Sequence, residues 1–254
     1  ITTTLIQCNE FPFIVSLQYS KFTNENSEWK HFCAGSIIHK QWILTAAHCI
    51  MNVSFFLNQT IAFVNPDYID EIKQRKIYRL HSAFVHSKFD SNTLDNDICL
   101  LKTAKPIRLK QDYIIRLPRS SLLSKRIDKI AIVAGWGTTV SNHRFIQNQQ
   151  QQSKHLLKAK LKPWPHENCS ELYRNSLSFI VPKKTLCYFS SYHQDSCQGD
   201  SGGPLFRHLY NHYYEIIGIV SFGGLSCDGS LPGVYTNVHQ FRHWIISNIK
   251  KNKL

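Results

Sequence analysis

The sequence predicts an all-β protein closed by a single C-terminal helix. Short apolar segments bounded by turn residues recur along most of the chain: Phe13-Ile-Val-Ser-Leu17, Ser36-Ile-Ile38, Trp42-Ile-Leu44, Ile130-Ala-Ile-Val133 and Ile216-Ile-Gly-Ile-Val220. Many short strands at such spacing are the mark of a barrel or sandwich. Only the last segment changes period, with Val238, Phe241, Trp244, Ile245, Asn248 and Ile249 at helical spacing. The chain has 254 residues, 43% hydrophobic and 12% aromatic, enough to bury a sizeable core and too apolar for a disordered chain.

Between these elements the sequence is punctuated by polar stretches. Asn24-Glu-Asn-Ser27 reads as a loop tip between the first two strands. Gln147-Asn-Gln-Gln-Gln-Gln152, downstream of Gly135-Trp-Gly137, has no apolar face to bury and reads as a mobile surface loop. No apolar run reaches the length of a membrane span, so an integral membrane protein is not expected. The net charge is +13, from 30 Lys and Arg against 17 Asp and Glu. The basic residues are dispersed and accompany no nucleic-acid motif, so they read as a solvated surface. Eight cysteines suggest an oxidising compartment. Asn52-Val-Ser, Asn58-Gln-Thr and Asn168-Cys-Ser are compatible with secretion. The expected protein is a secreted monomer.

Chemistry is concentrated in Asp195-Ser-Cys-Gln-Gly-Asp-Ser-Gly-Gly-Pro204, which sets Ser201 among glycines with Asp200 directly before it. Two distant fragments complete a pattern: Leu44-Thr-Ala-Ala-His48-Cys49, and Asp95-Asn-Asp97-Ile98 leading into Cys99-Leu-Leu. A serine hydroxyl is a poor nucleophile unless a base takes its proton during attack. A histidine can do so with one ring nitrogen while a buried carboxylate holds the other N–H. The chain order His48, Asp97, Ser201 is one of the known orders of such a triad.

On these motifs the sequence resembles the trypsin/chymotrypsin family of serine proteases, from Ile1 to the C-terminal helix. The resemblance implies two six-stranded antiparallel β-barrels of the chymotrypsin type with the active site in the cleft between them. The first barrel would take residues 13–117 and the second 118–235, with the helix at 236–252. His48, Asp97 and Ser201 would be catalytic, with Ser221 helping to hold Asp97. The N–H groups of Gly199 and Ser201 would form the oxyanion hole. Asp195 would floor the substrate pocket, where a buried carboxylate favours Arg or Lys, and Ser221, Gly223 and Gly233 would belong to the same pocket. Ile1 matches the N-terminus made by zymogen cleavage, and Asp200 the acid that pairs with its ammonium. The implied disulfides are Cys33–Cys49, Cys169–Cys187 and Cys197–Cys227. Cys8 matches a family cysteine whose partner position is Leu156 here, so Cys8 and Cys99 are left as free thiols or as a bridge of their own. Neither a zinc-type spacing nor the paired glutamates of the family's calcium loop is found, so no metal or cofactor is expected.

The sequence also departs from the family pattern. It opens Ile1-Thr-Thr-Thr4 in place of Ile-Val-Gly-Gly, and the loop Cys187-Tyr-Phe-Ser-Ser-Tyr-His-Gln194 contains no glycine. Tyr188, Phe189 and Tyr192 are bulky enough to occlude the pocket. The glycine-poor composition and the Phe32–Cys49 run resemble the mite lineage of group 3 allergens and inactivated scabies mite paralogues. Two functions therefore stand. One is a secreted endopeptidase cleaving polypeptides after Arg or Lys; the other is an inactive paralogue that binds or inhibits host defence proteins such as complement components.

Overall fold

The structure is a computed structural model. It describes residues 4–5, 10–20, 28–51, 57–64, 69, 76–119, 130–139, 151–190, 196–211, 213–224 and 229–252. After a two-residue strand, β1 (Thr4–Leu5), six strands form a closed barrel. They are β2 (Ile14–Tyr19), β3 (Lys30–His39), β4 (Trp42–Thr45), β5 (Thr60–Val64), β6 (Lys76–Val85) and β7 (Cys99–Thr103). Their order around the barrel is β2-β3-β4-β7-β6-β5, and β5 pairs back onto β2, with every ladder antiparallel. A short helix, α1 (Ala47–Met51), follows β4.

The second half contributes β8 (Ala131–Gly135), β9 (Thr138–Thr139), β10 (Gln151–Gln152) and β11 (Leu157–Trp164). A helix, α2 (His166–Leu177), leads to β12 (Thr185–Phe189), β13 (Pro204–His208), β14 (Tyr214–Phe222) and β15 (Gly233–Asn237). The ladder β8-β13-β14-β15-β12-β11 returns to β8 through Leu157–Leu161 and so closes a second six-stranded barrel. Strand β1 is added outside it, Leu5 opposite Leu157. The protein thus has two six-stranded antiparallel β-barrels and a C-terminal helix, the chymotrypsin-type fold expected from the sequence.

The barrels are joined by aromatic packing. Phe11 and Phe13 from the entry to β2 meet Phe206 of β13 at ring centroid distances of 4.8 and 5.2 Å, and Tyr214 of β14 stacks edge-on against Phe206 at 5.5 Å. Such edge-to-face pairs add to plain burial because the positive ring edge meets a negative face. The connecting chain is stitched to both sides. Ile115 N–H donates to Ile37 C=O in the first barrel, while Arg116 exchanges backbone bonds with Tyr214 and Ile216 in the second.

The terminal helix α3 (Val238–Lys251) starts where Asn237 accepts from the His239 N–H, which satisfies one of the orphan donors of the first turn. Val238, Phe241 and Ile245 are buried, as the helical spacing predicts. The helix reaches back to the first barrel: Phe241 and Trp244 pack on His86, and Lys102 Nζ donates to Asn252 C=O. No described helix is long and apolar enough to cross a membrane.

Two local expectations change. Gln151 and Gln152, the end of the glutamine tract, pair with Thr139 and Thr138, so that part is strand; residues 140–150 lie outside the described residues. The segment 24–27 lies outside them as well. Helix α2 has no counterpart in the sequence reading, because it buries only Cys169 and Tyr173 and leaves Leu177 49% exposed. An apolar stripe that thin gives no clear helical period.

Candidate active site

The site begins with Asp97. The chain reaches it through Asn96, which adopts a left-handed backbone (φ 54°) that asparagine tolerates better than most residues. The Asn96 side chain holds that turn, donating to Lys88 C=O and accepting from Lys184 Nζ. Thr236 of β15 donates its hydroxyl to Asp97 C=O at 2.7 Å, which ties the aspartate's backbone to the second barrel. The Asp97 side chain is fully buried and accepts three hydrogen bonds. His48 N–H donates to Oδ1 at 2.9 Å, His48 Nδ1–H to Oδ2 at 2.7 Å, and Ser221 Oγ–H to Oδ2 at 2.6 Å.

This arrangement fixes the orientation of the His48 ring and, in the neutral ring, its tautomer. With Nδ1 donating to Asp97, Nε2 is left as the ring's free basic nitrogen. His48 sits in the first turn of α1, whose amide also donates to Asp97, so backbone and ring are fixed by one carboxylate. Its side chain is 25% exposed, with Nε2 3.8 Å from the Cys49 sulfur. Cys49 is bridged to Cys33, so these two sulfurs beside His48 are not available as thiolate metal ligands.

Ser201 lies in a turn that abuts the same place. Its carbonyl accepts from Ala34 N–H of β3 at 2.8 Å. The next residue, Gly202 (φ +78°), passes so close to the first barrel that a Cβ there would stand 2.1 Å from Thr45 Oγ1 and 2.5 Å from Ala34 C=O. Glycine is needed on both counts, conformation and space. No hydrogen bond joins Ser201 Oγ to His48 Nε2 among the described contacts; such bonds commonly tighten only around substrate. Gly199 also has a positive φ of +99°. Among the described residues neither the Gly199 N–H nor the Ser201 N–H meets an acceptor. Two free donors flanking a serine can receive a developing oxyanion.

Asp200 points away from the serine into the second barrel's edge. Gly137 N–H donates to Oδ1 at 2.8 Å and Cys197 N–H to Oδ2 at 2.9 Å. A Cβ on Gly135 or Gly137 would fall 2.0 or 2.2 Å from this carboxylate, so glycine at these two positions is what makes room for it. Burial pushes the Asp200 carboxyl up to about 6, against the two backbone donors, which favour its charged form. Its expected partner Ile1 lies outside the described residues, as do Asp195, Tyr192 and Cys227.

The pocket residues that can be placed are spread along three strands. Ser221 has its hydroxyl on Asp97. Gly223 follows the end of β14, and Gly233 opens β15 opposite Tyr188. Tyr188 is 1% exposed inside the second barrel, its ring 6.1 Å from that of Tyr235. Phe189 points to the other face and packs on Trp164 at 5.3 Å. The alternation of β12 therefore gives each of these two rings a partner within the fold, in place of the free swing toward a pocket that the sequence allowed. The Cys33–Cys49 and Cys169–Cys187 bridges are formed, and Cys197 is disulfide-bonded. Cys99 is a buried free thiol, held far above its ordinary pKa by desolvation, so it makes no bridge with Cys8.

Three groups near the site were not singled out in the sequence: Ser16, Gln18 and His31. Ser16 Oγ is 2.7 Å from His31 Nδ1, and His31 Nε2 is 2.8 Å from Gly199 C=O. Only the long-range pairing of β2, β3 and the 199 turn brings them together.

Two β-barrels with a buried aspartate, a histidine and a serine at their junction define the class of serine hydrolases built on the trypsin fold. Comparison with known proteins agrees. The trypsin family model matches residues 2–245, and the chain belongs to that family of serine proteases. It is 32% identical to a CLIP domain-containing serine protease B9 of Anopheles gambiae over 96% of this chain and 61% of that protein. It is 30% identical to melanization protease 1 of Drosophila melanogaster, over 95% of this chain and 63% of that one. Human transmembrane protease serine 11B is 31% identical over 87% of this chain, and half (50%) of its own length is covered. The chain thus spans less than two thirds of each of these relatives. They are insect and human proteins, and the comparisons give no support to the mite lineage, to an allergen or to a complement inhibitor.

Proposed function

We propose that this chain is the catalytic domain of a secreted endopeptidase that cleaves after Arg or Lys. The observation that carries the reading is the Asp97-centred set of hydrogen bonds, which leaves His48 Nε2 as the base. In this mechanism Ser201 Oγ attacks the carbonyl carbon of the scissile bond while its proton passes to His48 Nε2. Asp97 stabilises the imidazolium that forms. The carbonyl oxygen becomes an oxyanion facing the Gly199 and Ser201 N–H groups. Collapse expels the amine, protonated by His48, and leaves an acyl group on Ser201 that water then removes by the same steps in reverse.

The basic preference rests on Asp195 in the sequence, six residues before Ser201. An unpaired buried carboxylate is costly, and a guanidinium relieves it with a bidentate contact. Secretion is supported by the disulfides. Asp200 and Ile1 are proposed as the ion pair that sets the oxyanion loop. Polypeptides are the proposed substrates.

A second reading, an inactive binding protein, is favoured by the glycine-free segment 188–194 and the altered N-terminus. Tyr188 and Phe189 have other partners, so occlusion would rest on Tyr192. Turnover of an Arg-amide chromogenic substrate, compared with a Phe-amide, tests both. Activity at least several orders of magnitude above that of Ser201→Ala, with Arg preferred, is expected. Folded protein beginning at Ile1 that cleaves no faster than Ser201→Ala would leave the binding reading.

A further inference from the structure

We infer that Arg116 and the two tyrosines packed on it, Tyr210 and Tyr213, form a docking site for a carboxylate-bearing segment of a partner protein. The site lies where the segment joining the barrels crosses the turn between β13 and β14. It shares no residue with the cleft around Ser201, so it stands whether or not the chain is a protease.

Arg116 is fixed at both ends. Its N–H donates to Tyr214 C=O at 3.0 Å, and its C=O accepts from Ile216 N–H at 3.0 Å. Its guanidinium carbon stands 3.6 Å from the centroid of the Tyr213 ring and 5.6 Å from that of Tyr210. Nη1 donates to the Tyr210 hydroxyl at 2.8 Å. The two rings brace each other, with centroids 5.5 Å apart, and Tyr213 N–H donates to Tyr210 C=O. Behind them the His208 ring packs on Tyr214, which belongs to the aromatic joint between the barrels.

The fold does not use the whole of this side chain. The two backbone bonds already tie the connecting segment to β14, and stacking engages only the face of the guanidinium. Of its five N–H donors one goes to Tyr210, and no carboxylate among the described residues pairs with Arg116. Glu215, beside it in the ladder, is buried and bound by Arg207. The Tyr210 hydroxyl accepts from Arg116 and so keeps its own hydrogen to donate. Tyr210 is 54% exposed and Arg116 half-buried, so the pair opens to solvent.

A planar edge of parallel N–H groups matches the two oxygens of a carboxylate. Stacking has already removed much of the arginine's rotamer freedom, which lowers the ordering cost of binding. Arginine and tyrosine are also the residues that most often dominate protein interfaces. The frame decides between anions. A nucleic acid or other polyanion is held by many basic side chains, each neutralising one charge. Here a single cation stands among aromatic rings, which suits one carboxylate flanked by apolar or aromatic side chains. The net charge of +13 favours the approach of an acidic segment.

The test uses the whole chain carrying Ser201→Ala, so that no probe is cleaved, isotope-labelled on nitrogen. The probes are the peptide Ac-Glu-Phe-Glu-Leu-amide and its counterpart Ac-Gln-Phe-Gln-Leu-amide. The Arg116 Nε–H resonance, identified by its absence from Arg116→Lys, is followed through each titration. A saturable shift is expected with the glutamate probe, and binding at least about tenfold weaker with the glutamine probe. Polarisation of a dye-labelled glutamate probe should show a similar loss in Arg116→Lys, which keeps the charge and loses the fork. Tyr210→Phe, which keeps the ring and removes one donor, should bind more weakly than wild type, with both variants unfolding at the wild-type urea midpoint. No shift with the glutamate probe at about millimolar concentration overturns the site. Equal binding of the two probes, or undiminished binding in Arg116→Lys and Tyr210→Phe, overturns it as well. Saturation of the Arg116 shift by a sulfated hexasaccharide and not by the glutamate probe would replace the protein segment with a polyanion.

Discussion

Asp97 and Asp200 are two buried aspartates with opposite surroundings. Asp97 receives three donors, including a hydroxyl and a ring N–H; Asp200 receives two backbone amides, with Gly135 and Gly137 too close to its carboxylate to carry a side chain. Burial raises Asp200 toward 6 from an ordinary 3.8 and lowers His31 toward 4 from 6.5, so both titrate in the same acid window with opposite sign. For Asp200 the folded state holds the proton longer, and its contribution to stability is lost as pH rises through that window. For His31 the unfolded state binds the proton first, so its contribution is lost as pH falls from about 6.5 toward 4. Asp200 is common to wild type and His31→Gln, and only the wild type has a histidine to titrate at 31. The stability difference between them, from urea midpoints, should therefore grow in favour of wild type between pH 4 and 6.5. A difference independent of pH would show that His31 is not held neutral.

At the scale of elements, the motifs around His48, Asp97 and Ser201 were legible because each is a continuous string whose chemistry depends on residue type. What the sequence hid depends on facing. Tyr188 and Phe189 look alike in the sequence, yet the pleat of β12 sends one into the barrel beside Tyr235 and the other onto Trp164. The Gln18–Ser16–His31–Gly199 chain of contacts crosses three segments and leaves no local signature. Helix α2 buries too few apolar residues to show a period, while α3, with Val238, Phe241 and Ile245 buried, was readable from the spacing. Because α3 docks on the first barrel, its start matters to both halves. Asn237→Ala, which removes the cap on His239 N–H, should cost about 1 kcal/mol in urea unfolding. A cost near zero would mean that packing alone holds the helix start.

At the scale of the whole molecule, neither barrel carries the site alone. His48 and Asp97 come from the first and Ser201 from the second, and the carbonyl of Ser201 is itself bonded to Ala34 across the junction. The joint is apolar and aromatic, with Phe206 at its centre, fully buried against Phe11, Phe13 and Tyr214. Truncating it opens a cavity between the barrels, so Phe206→Ala should lose about 3–5 kcal/mol by chemical denaturation. It should also lower kcat, since His48 and Ser201 would no longer be held in one frame. A fully stable variant would show that the barrels are joined elsewhere. The barrels themselves were legible from strand spacing and family resemblance; this aromatic joint between them was not, since its rings come from two segments far apart in the chain, Phe11 and Phe13 on one and Phe206 and Tyr214 on the other.

The most direct test is to trap the acyl-enzyme. Folded protein treated with an arginine-type active-site ester that deacylates slowly should gain one acyl group per chain, mapped by peptide mass to Ser201. The adduct should be absent from Ser201→Ala and from denatured protein, and much slower to form in Asp97→Asn, where His48 loses its defined tautomer. An unmodified Ser201 in folded protein, or an adduct only on other residues, would contradict the proposed nucleophile and with it the protease reading.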